Sequence, residues 1–227
     1  MSAEHRALVF QLCSRLLGYP DTELLEELDL LAAAAGELPA QLGEPILGVI
    51  DHLRAGPPME VAAHYVRTLD QRRSCAPYLT YYTHGDTRRR GMALVEFVQA
   101  YREAGTTAPA GELPDHLAVV LEFAATVDPQ AGLALLQAHR AGLELLVRGM
   151  ARAGTPYAGL VRAVLAVLPP ARPQDLAAAA ELASAGPPVE LVGLGGLGGL
   201  GVDGPDGVEP LAGYAVGGLP EREGMRR

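Results

Sequence analysis

Apolar positions recur at three- and four-residue intervals through most of the first 185 residues, a spacing that predicts helices rather than strands. Leu8, Leu12 and Leu16 place a first helix over Ala3–Leu17, stopped by Gly18, Tyr19 and Pro20. Asp21 caps a second, whose stripe is Leu24, Leu28, Leu31 and Ala35 and whose end is Gly36. A third over Pro39–Ala55 carries Leu42, Ile46, Val49, Ile50 and Leu53; Gly56-Pro57-Pro58 then breaks the chain before a fourth over Met59–Leu69. The connection Asp70–His84 is longer than ordinary helix–helix loops and is a functional candidate.

Leu94, Phe97, Val98 and Tyr101 predict a helix over Thr87–Ala104, with Asp86 as N-cap and Gly105 beyond the end. Its first turn holds Arg88, Arg89 and Arg90, an unfavourable charge for a helix N-terminus unless carboxylates or a ligand compensate. Arg90 ends the apolar stripe, where a groove would have its rim; the plainer reading pairs all three arginines with the chain's own acids. Pro114 suits a first helical position, with Asp115 in the first turn and Leu117, Val120, Leu121 and Ala124 buried. Asp115 and Glu122 would then share one face, and His116 would border the apolar side, either as a structural residue or as a titratable one.

Further on, Asp128-Pro129 starts a long apolar helix to Ala153, weakened by Gly132, Gly142 and Gly149. Thr155-Pro156 starts the next, which buries Leu160, Val161, Val164, Leu165 and Leu168 before Pro169-Pro170. A last helix over Gln174–Ala185 has only Leu176 and Leu182 to bury and is peripheral or marginal. No segment alternates convincingly, so the predicted fold class is all-α.

The run from Tyr78 to Leu94, reading Tyr-Leu-Thr-Tyr-Tyr-Thr-His-Gly-Asp-Thr-Arg-Arg-Arg-Gly-Met-Ala-Leu, is followed by Glu112-Leu-Pro-Asp-His-Leu-Ala-Val-Val-Leu-Glu-Phe123. Together they resemble the NarJ family, the assembly chaperones of respiratory nitrate reductase, within the wider TorD/DmsD-like group. The resemblance spans Leu8 to Phe123. It implies a compact helical protein without catalytic activity or cofactor of its own. Its implied partner is the apo catalytic subunit of a membrane-bound nitrate reductase, held by its N-terminal segment for molybdenum cofactor insertion. In that group the segment matching Leu113-Pro-Asp-His116 is a hinge associated with peptide binding. One departure stands out: a common form of the tyrosine motif has Asp before the glycine, where this chain has His84.

The expected site comprises Tyr78, Tyr81, Tyr82, Asp86, Arg88, Arg89, Arg90, Asp115, His116, Leu117 and Glu122. Tyrosines suit a groove that takes the apolar face of a peptide helix, although core packing accounts equally for some of them. Asp115 and Glu122 are the acids expected to meet the peptide's cations. An enzyme using Asp115 and His116 as an acid–base pair would need a third group, and adjacent helical side chains diverge by about 100°. A nucleotide-responsive switch built on the three arginines is the other alternative, as is a chaperone for a different molybdoenzyme.

Composition narrows the classes further. The 227 residues are 49% apolar with a net charge of −9, which argues against nucleic acid. Cys13 and Cys75 form no CxxC, and no HExxH pair occurs, so no metal site is suggested, while a single long-range disulfide stays open. No targeting segment and no 18-residue apolar stretch is found, which predicts a cytoplasmic protein.

The organisation is therefore a helical domain over 1–185 and a low-complexity extension over 186–227, rich in glycine and proline. Within the extension, Gly193-Leu-Gly-Gly-Leu-Gly198 matches GxGxxG, but no helix can follow it and too little chain remains for a βαβ unit. Truncation after Ala185 is expected to leave the melting temperature within a few degrees; a loss above about 2 kcal/mol by denaturant titration would show that the extension packs on the core.

Overall fold

Several helix starts follow directly from their caps. Ser2 accepts a bond from the His5 N–H at 3.1 Å, Asp21 from Leu24 at 2.8 Å, and Asp128 from Gln130 and Ala131 at 3.0 and 2.9 Å. The computed structural model describes residues 2–185, so the low-complexity extension and its glycine motif lie outside the described residues. Within them are α1 (Ala3–Leu16), α2 (Thr22–Gly36), α3 (Ala40–Ala55), α4 (Pro58–Tyr65), α5 (Tyr81–His84) and α6 (Arg88–Glu103). Five more follow: α7 (Leu117–Thr126), α8 (Pro129–Ala138), α9 (Arg140–Arg152), α10 (Ala158–Val167) and α11 (Pro173–Ala185). The fold is all-α, as the periodicity predicts.

α1 is the axis of the core. It runs against α7, α10, α2 and α3, which explains why its buried set (Val9, Phe10, Leu12, Cys13, Leu16) is wider than a single stripe. Cys13 and Cys75 are both buried free thiols, so no disulfide joins them. Among the described residues no helix is long and apolar enough to cross a membrane.

Three expectations are corrected. The fourth helix ends at Tyr65, and the chain continues as a π turn over Val66–Asp70, which turns consecutive Thr68 and Leu69 into the interior. The long helix over 128–153 is two, broken at His139. α11 buries Ala179 against α9 while Leu176 stays exposed, because a small side chain lets the two helix backbones approach.

The glycines that weaken α9 as an isolated helix are contact points. A Cβ on Gly142 would stand 3.0 Å from the Leu79 carbonyl oxygen, and one on Gly149 would overlap the Ser74 carbonyl. Tertiary packing therefore overrides propensity here, and α9 is the surface on which the 73–82 segment is seated. Gly149→Ala is expected to cost about 1–3 kcal/mol by chemical denaturation. Gly48→Ala, at an exposed α3 position with open space around it, is expected to be neutral or stabilising by up to about 1 kcal/mol.

Four histidines share one electrostatic trait. Burial holds His52, His64, His116 and His139 below the ordinary imidazole range, and His64 is lowered further by His52 and Arg67. His52 Nε2 and His64 Nδ1 lie 3.0 Å apart, linking α3 to α4. The unfolded chain therefore binds more protons than the folded one below pH about 6.5, so stability is full above that value and falls as pH drops towards the depressed folded values. Melting curves from pH 8 to 5 should show this loss, and His139→Gln should shrink the pH dependence whatever its effect at pH 8.

Candidate functional site

Two prolines prepare the site. A residue preceding proline is biased to extended backbone, and Ala76-Pro77 and Leu113-Pro114 supply two such segments far apart in sequence. They pair as an antiparallel bridge between Tyr78 and His116: the Leu79 N–H donates to the Asp115 carbonyl at 3.1 Å, and the Leu117 N–H to the Pro77 carbonyl at 2.7 Å. The tyrosine motif and the Leu113–Leu117 motif are thus one structural unit.

The bridge turns the Asp115 side chain inward, where it is fully buried. Its Oδ2 accepts from the Thr80 backbone N–H at 3.0 Å and from Thr80 Oγ1 at 2.6 Å, and lies 3.9 Å from Arg90 Nη2. Arg90 in turn donates from Nε to Thr80 Oγ1 at 3.2 Å and from Nη1 to Asp86 Oδ1 at 3.3 Å. Its guanidinium carbon stands 5.4 Å from the Tyr78 ring centroid and 5.9 Å from that of Tyr81. Thr80 therefore joins the cluster, its hydroxyl donating a hydrogen bond to the carboxylate and accepting one from the guanidinium.

This geometry revises the reading of both helix starts. Asp86 is not the N-cap of α6; Thr87 holds that position without a side-chain cap bond, its hydroxyl donating instead to the His84 carbonyl at 2.7 Å. Asp86 and Asp115 are the carboxylates that compensate Arg90 in the first turn. Arg88 and Arg89 point towards solvent. α7 begins at Leu117 with His116 as N-cap, so Asp115 precedes the helix and shares no face with exposed Glu122. His116 Nδ1 accepts the Ala118 N–H at 3.3 Å, which requires an unprotonated nitrogen; burial lowers its pKa, against the pull of Glu112, Asp115 and Asp70. An acid–base pair of Asp115 and His116 has no support here, since the carboxylate faces Thr80 and the imidazole caps a helix.

The tyrosines divide by role. Tyr82 is a core residue whose hydroxyl donates to the Ala76 carbonyl at 3.0 Å, and Tyr81 packs edge-on against it with centroids 5.6 Å apart. Tyr78 is half-buried and donates to Glu112 Oε1 at 3.2 Å; burial, then Glu112, pushes its phenol up to about 12. Glu112 also accepts from the Leu113 N–H at 2.8 Å. Tyr101 on α6 donates to the Pro114 carbonyl at 2.7 Å and meets Phe123 edge-on, which ties α6 to α7. Leu117 is fully buried.

The concave surface lies on the outer side of α7. A cleft of about 220 Å³ is lined by Tyr101, Ala108, Val119, Phe123 and Val127, with Glu122 and Thr126 on its edge. A second of about 410 Å³, between α1 and α2, is lined by Leu8, Leu12, Leu30 and Leu31 and reaches the same Glu122 and Thr126. Of the expected site residues, Glu122 lines both of these clefts, while Tyr81 and Tyr82 line a separate recess against α9. Thr80, Tyr101 and Glu112 are participants that periodicity does not reveal.

Residues 29–162 match the family model described as nitrate reductase delta subunit. A nitrate reductase-like protein NarX of Mycobacterium tuberculosis is 43% identical over 158 residues, 69% of this chain and 24% of its own, so the chain spans about a quarter of that relative's length. A probable nitrate reductase molybdenum cofactor assembly chaperone NarJ of Bacillus subtilis is 30% identical over 74% of this chain and 92% of its own. The Escherichia coli chaperone NarJ is 33% identical over 52% of this chain and 51% of its own. A putative redox enzyme maturation protein from Archaeoglobus fulgidus superimposes with a TM-score of 0.52 at 22% identity, covering 72% of this chain and 93% of that one, and shares the fold. The chain belongs to the nitrate reductase delta subunit family.

Proposed function

We propose that this protein is a cytoplasmic maturation chaperone that binds the N-terminal segment of the apo catalytic subunit of a respiratory nitrate reductase. It holds that subunit for molybdenum cofactor insertion and assembly. The chemistry is recognition, not catalysis. The observation that carries this reading is the pair of apolar clefts meeting at Glu122, beside a bridge that welds the two family motifs together. An amphipathic segment lays its apolar face on Phe123, Val119 and Leu12, and a cation on the segment meets Glu122. Exposed Met92 and Val95 on α6 and Leu30 on α2 extend the apolar surface available to a partner chain still lacking its cofactor.

Asp115, Thr80 and Arg90 act one layer below, as positioning residues. They fix the Leu113–Leu117 turn and with it the start of α7. The resemblance to nitrate reductase molybdenum cofactor assembly chaperones supports the partner class.

Calorimetric titration of the full chain with a peptide of the catalytic subunit's N-terminus tests the reading, binding at micromolar affinity being the expected result. Glu122→Gln should leave melting unchanged and weaken the peptide by about 1 kcal/mol, a difference that added salt narrows. Asp115→Asn should lower stability by about 1–3 kcal/mol, because a buried carboxylate with two hydrogen bonds and a guanidinium loses its charge. If Glu122→Gln binds normally and Val119→Asp does too, the peptide sits elsewhere.

A further inference from the structure

A third recess lies away from the clefts on α7 and plays no part in the chaperone reading. Its volume is about 350 Å³, and it opens between the 73–75 turn, α5, the end of α9 and α11. Arg73 and Ser74 come from the turn, and Arg152 is the last residue of α9. Tyr82, Leu145 and Leu182 supply apolar surface, and Tyr81 closes one side.

The charge is out of keeping with the rest of the protein. The chain carries a net charge of −9, yet two guanidinium groups from separate elements line this one recess. The ion pairs found among the described residues use Arg15, Arg54, Arg90, Arg140 and Arg172, and none of them uses Arg73 or Arg152. The positions are built rather than incidental. The 73–75 turn is closed by the Cys75 N–H donating to the Arg72 carbonyl at 2.8 Å, and the bare Cα of Gly149 lets the Ser74 carbonyl seat directly on α9. That contact sets the turn bearing Arg73 and Ser74 one helical turn from Arg152. Tyr81 feels Arg73 electrostatically as well as Arg90, so the recess adjoins the Asp115–Thr80–Arg90 cluster through one ring.

We propose that this recess binds a small phosphate monoester with a flat apolar body. Two guanidinium forks and the Ser74 hydroxyl meet the dianionic head, for which arginine is geometrically suited, and the planar body lies against Tyr81, Tyr82 and Leu145. The volume is in the range of small-molecule sites and far below what a folded partner needs.

The test is calorimetric titration of the full chain with GMP, AMP, guanosine and inorganic phosphate at constant ionic strength, with Arg73→Gln and Arg152→Gln as variants. Both arginines are exposed, so melting temperatures should not move. At least one nucleotide is expected to bind one-to-one with a sub-millimolar dissociation constant, at least tenfold tighter than guanosine or phosphate, and each variant should weaken it at least fivefold. Equal affinity for guanosine and GMP, equal affinity for phosphate and GMP, undiminished binding by the variants, or no binding of either nucleotide at millimolar concentration overturns the proposal. Peptide binding is untouched by any of these outcomes, so the two readings fail separately.

Discussion

The carboxylate of Asp115 is the constraint on which the middle of this protein turns. A buried charge is costly unless hydrogen bonds and an opposite charge replace its water; Thr80 gives Oδ2 two hydrogen bonds and Arg90 stands 3.9 Å away, while Oδ1 has no hydrogen-bond partner among the described residues. Those partners come from 35 and 25 residues away in the chain, which makes the acid a long-range specifier of where α5, α6 and α7 meet. A buried apolar residue at this position would pack, but it would not select the pairing of one particular threonine amide with one particular arginine.

The bridge between Tyr78 and His116 is the backbone counterpart of that clasp. The two proline-containing segments exchange two backbone bonds, Leu79 N–H to Asp115 and Leu117 N–H to Pro77, and close local turns with the groups beside them. The consequence reaches the surface. With Leu117 N–H held by Pro77, α7 starts one turn later than its proline alone would dictate, and Val119, Glu122 and Phe123 come to line one concave wall. Tyr101 secures the facing wall by donating to Pro114, so both sides of the cleft are referred to the same turn.

Most of the architecture was legible in the sequence because it is local. Asp21 and Asp128 cap as expected, Gly105 lies past the end of α6 with φ +76°, and the apolar stripe of α3 is buried where the period places it, as are those of α2 and α10 apart from half-buried Leu31 and Leu165. What failed was non-local. Asp86 and Thr87 compete for one cap, and the winner was decided by Arg90, which draws Asp86 away. Pro114 is a good first helical residue, but the chain makes a turn closed by the His116 N–H on the Leu113 carbonyl at 3.0 Å, and His116 is extended, so the helix waits until Leu117. The glycines of α9 read as weakness because their partners, the carbonyls of Leu79 and Ser74, lie some 60 to 75 residues earlier in the chain. The acid expected on the surface is interior, and no periodicity marks a charge that is buried with a threonine as its main partner.

These features together give the proposed chaperone a physical reason to carry a strongly constrained polar centre. On the proposed chaperone reading, a surface made of two helices and a loop serves only if its walls keep their spacing against an apolar segment, and apolar packing alone tolerates sliding by fractions of a turn. A charge-assisted hydrogen bond does not, because its strength falls steeply with distance and angle. Placing Asp115, Thr80 and Arg90 behind the groove therefore fixes the register of α7, while the groove itself stays apolar with Glu122 as the acid shared by both clefts. The same logic accounts for Tyr78 and Glu112, whose hydrogen bond fastens the outer end of the bridge where it meets solvent.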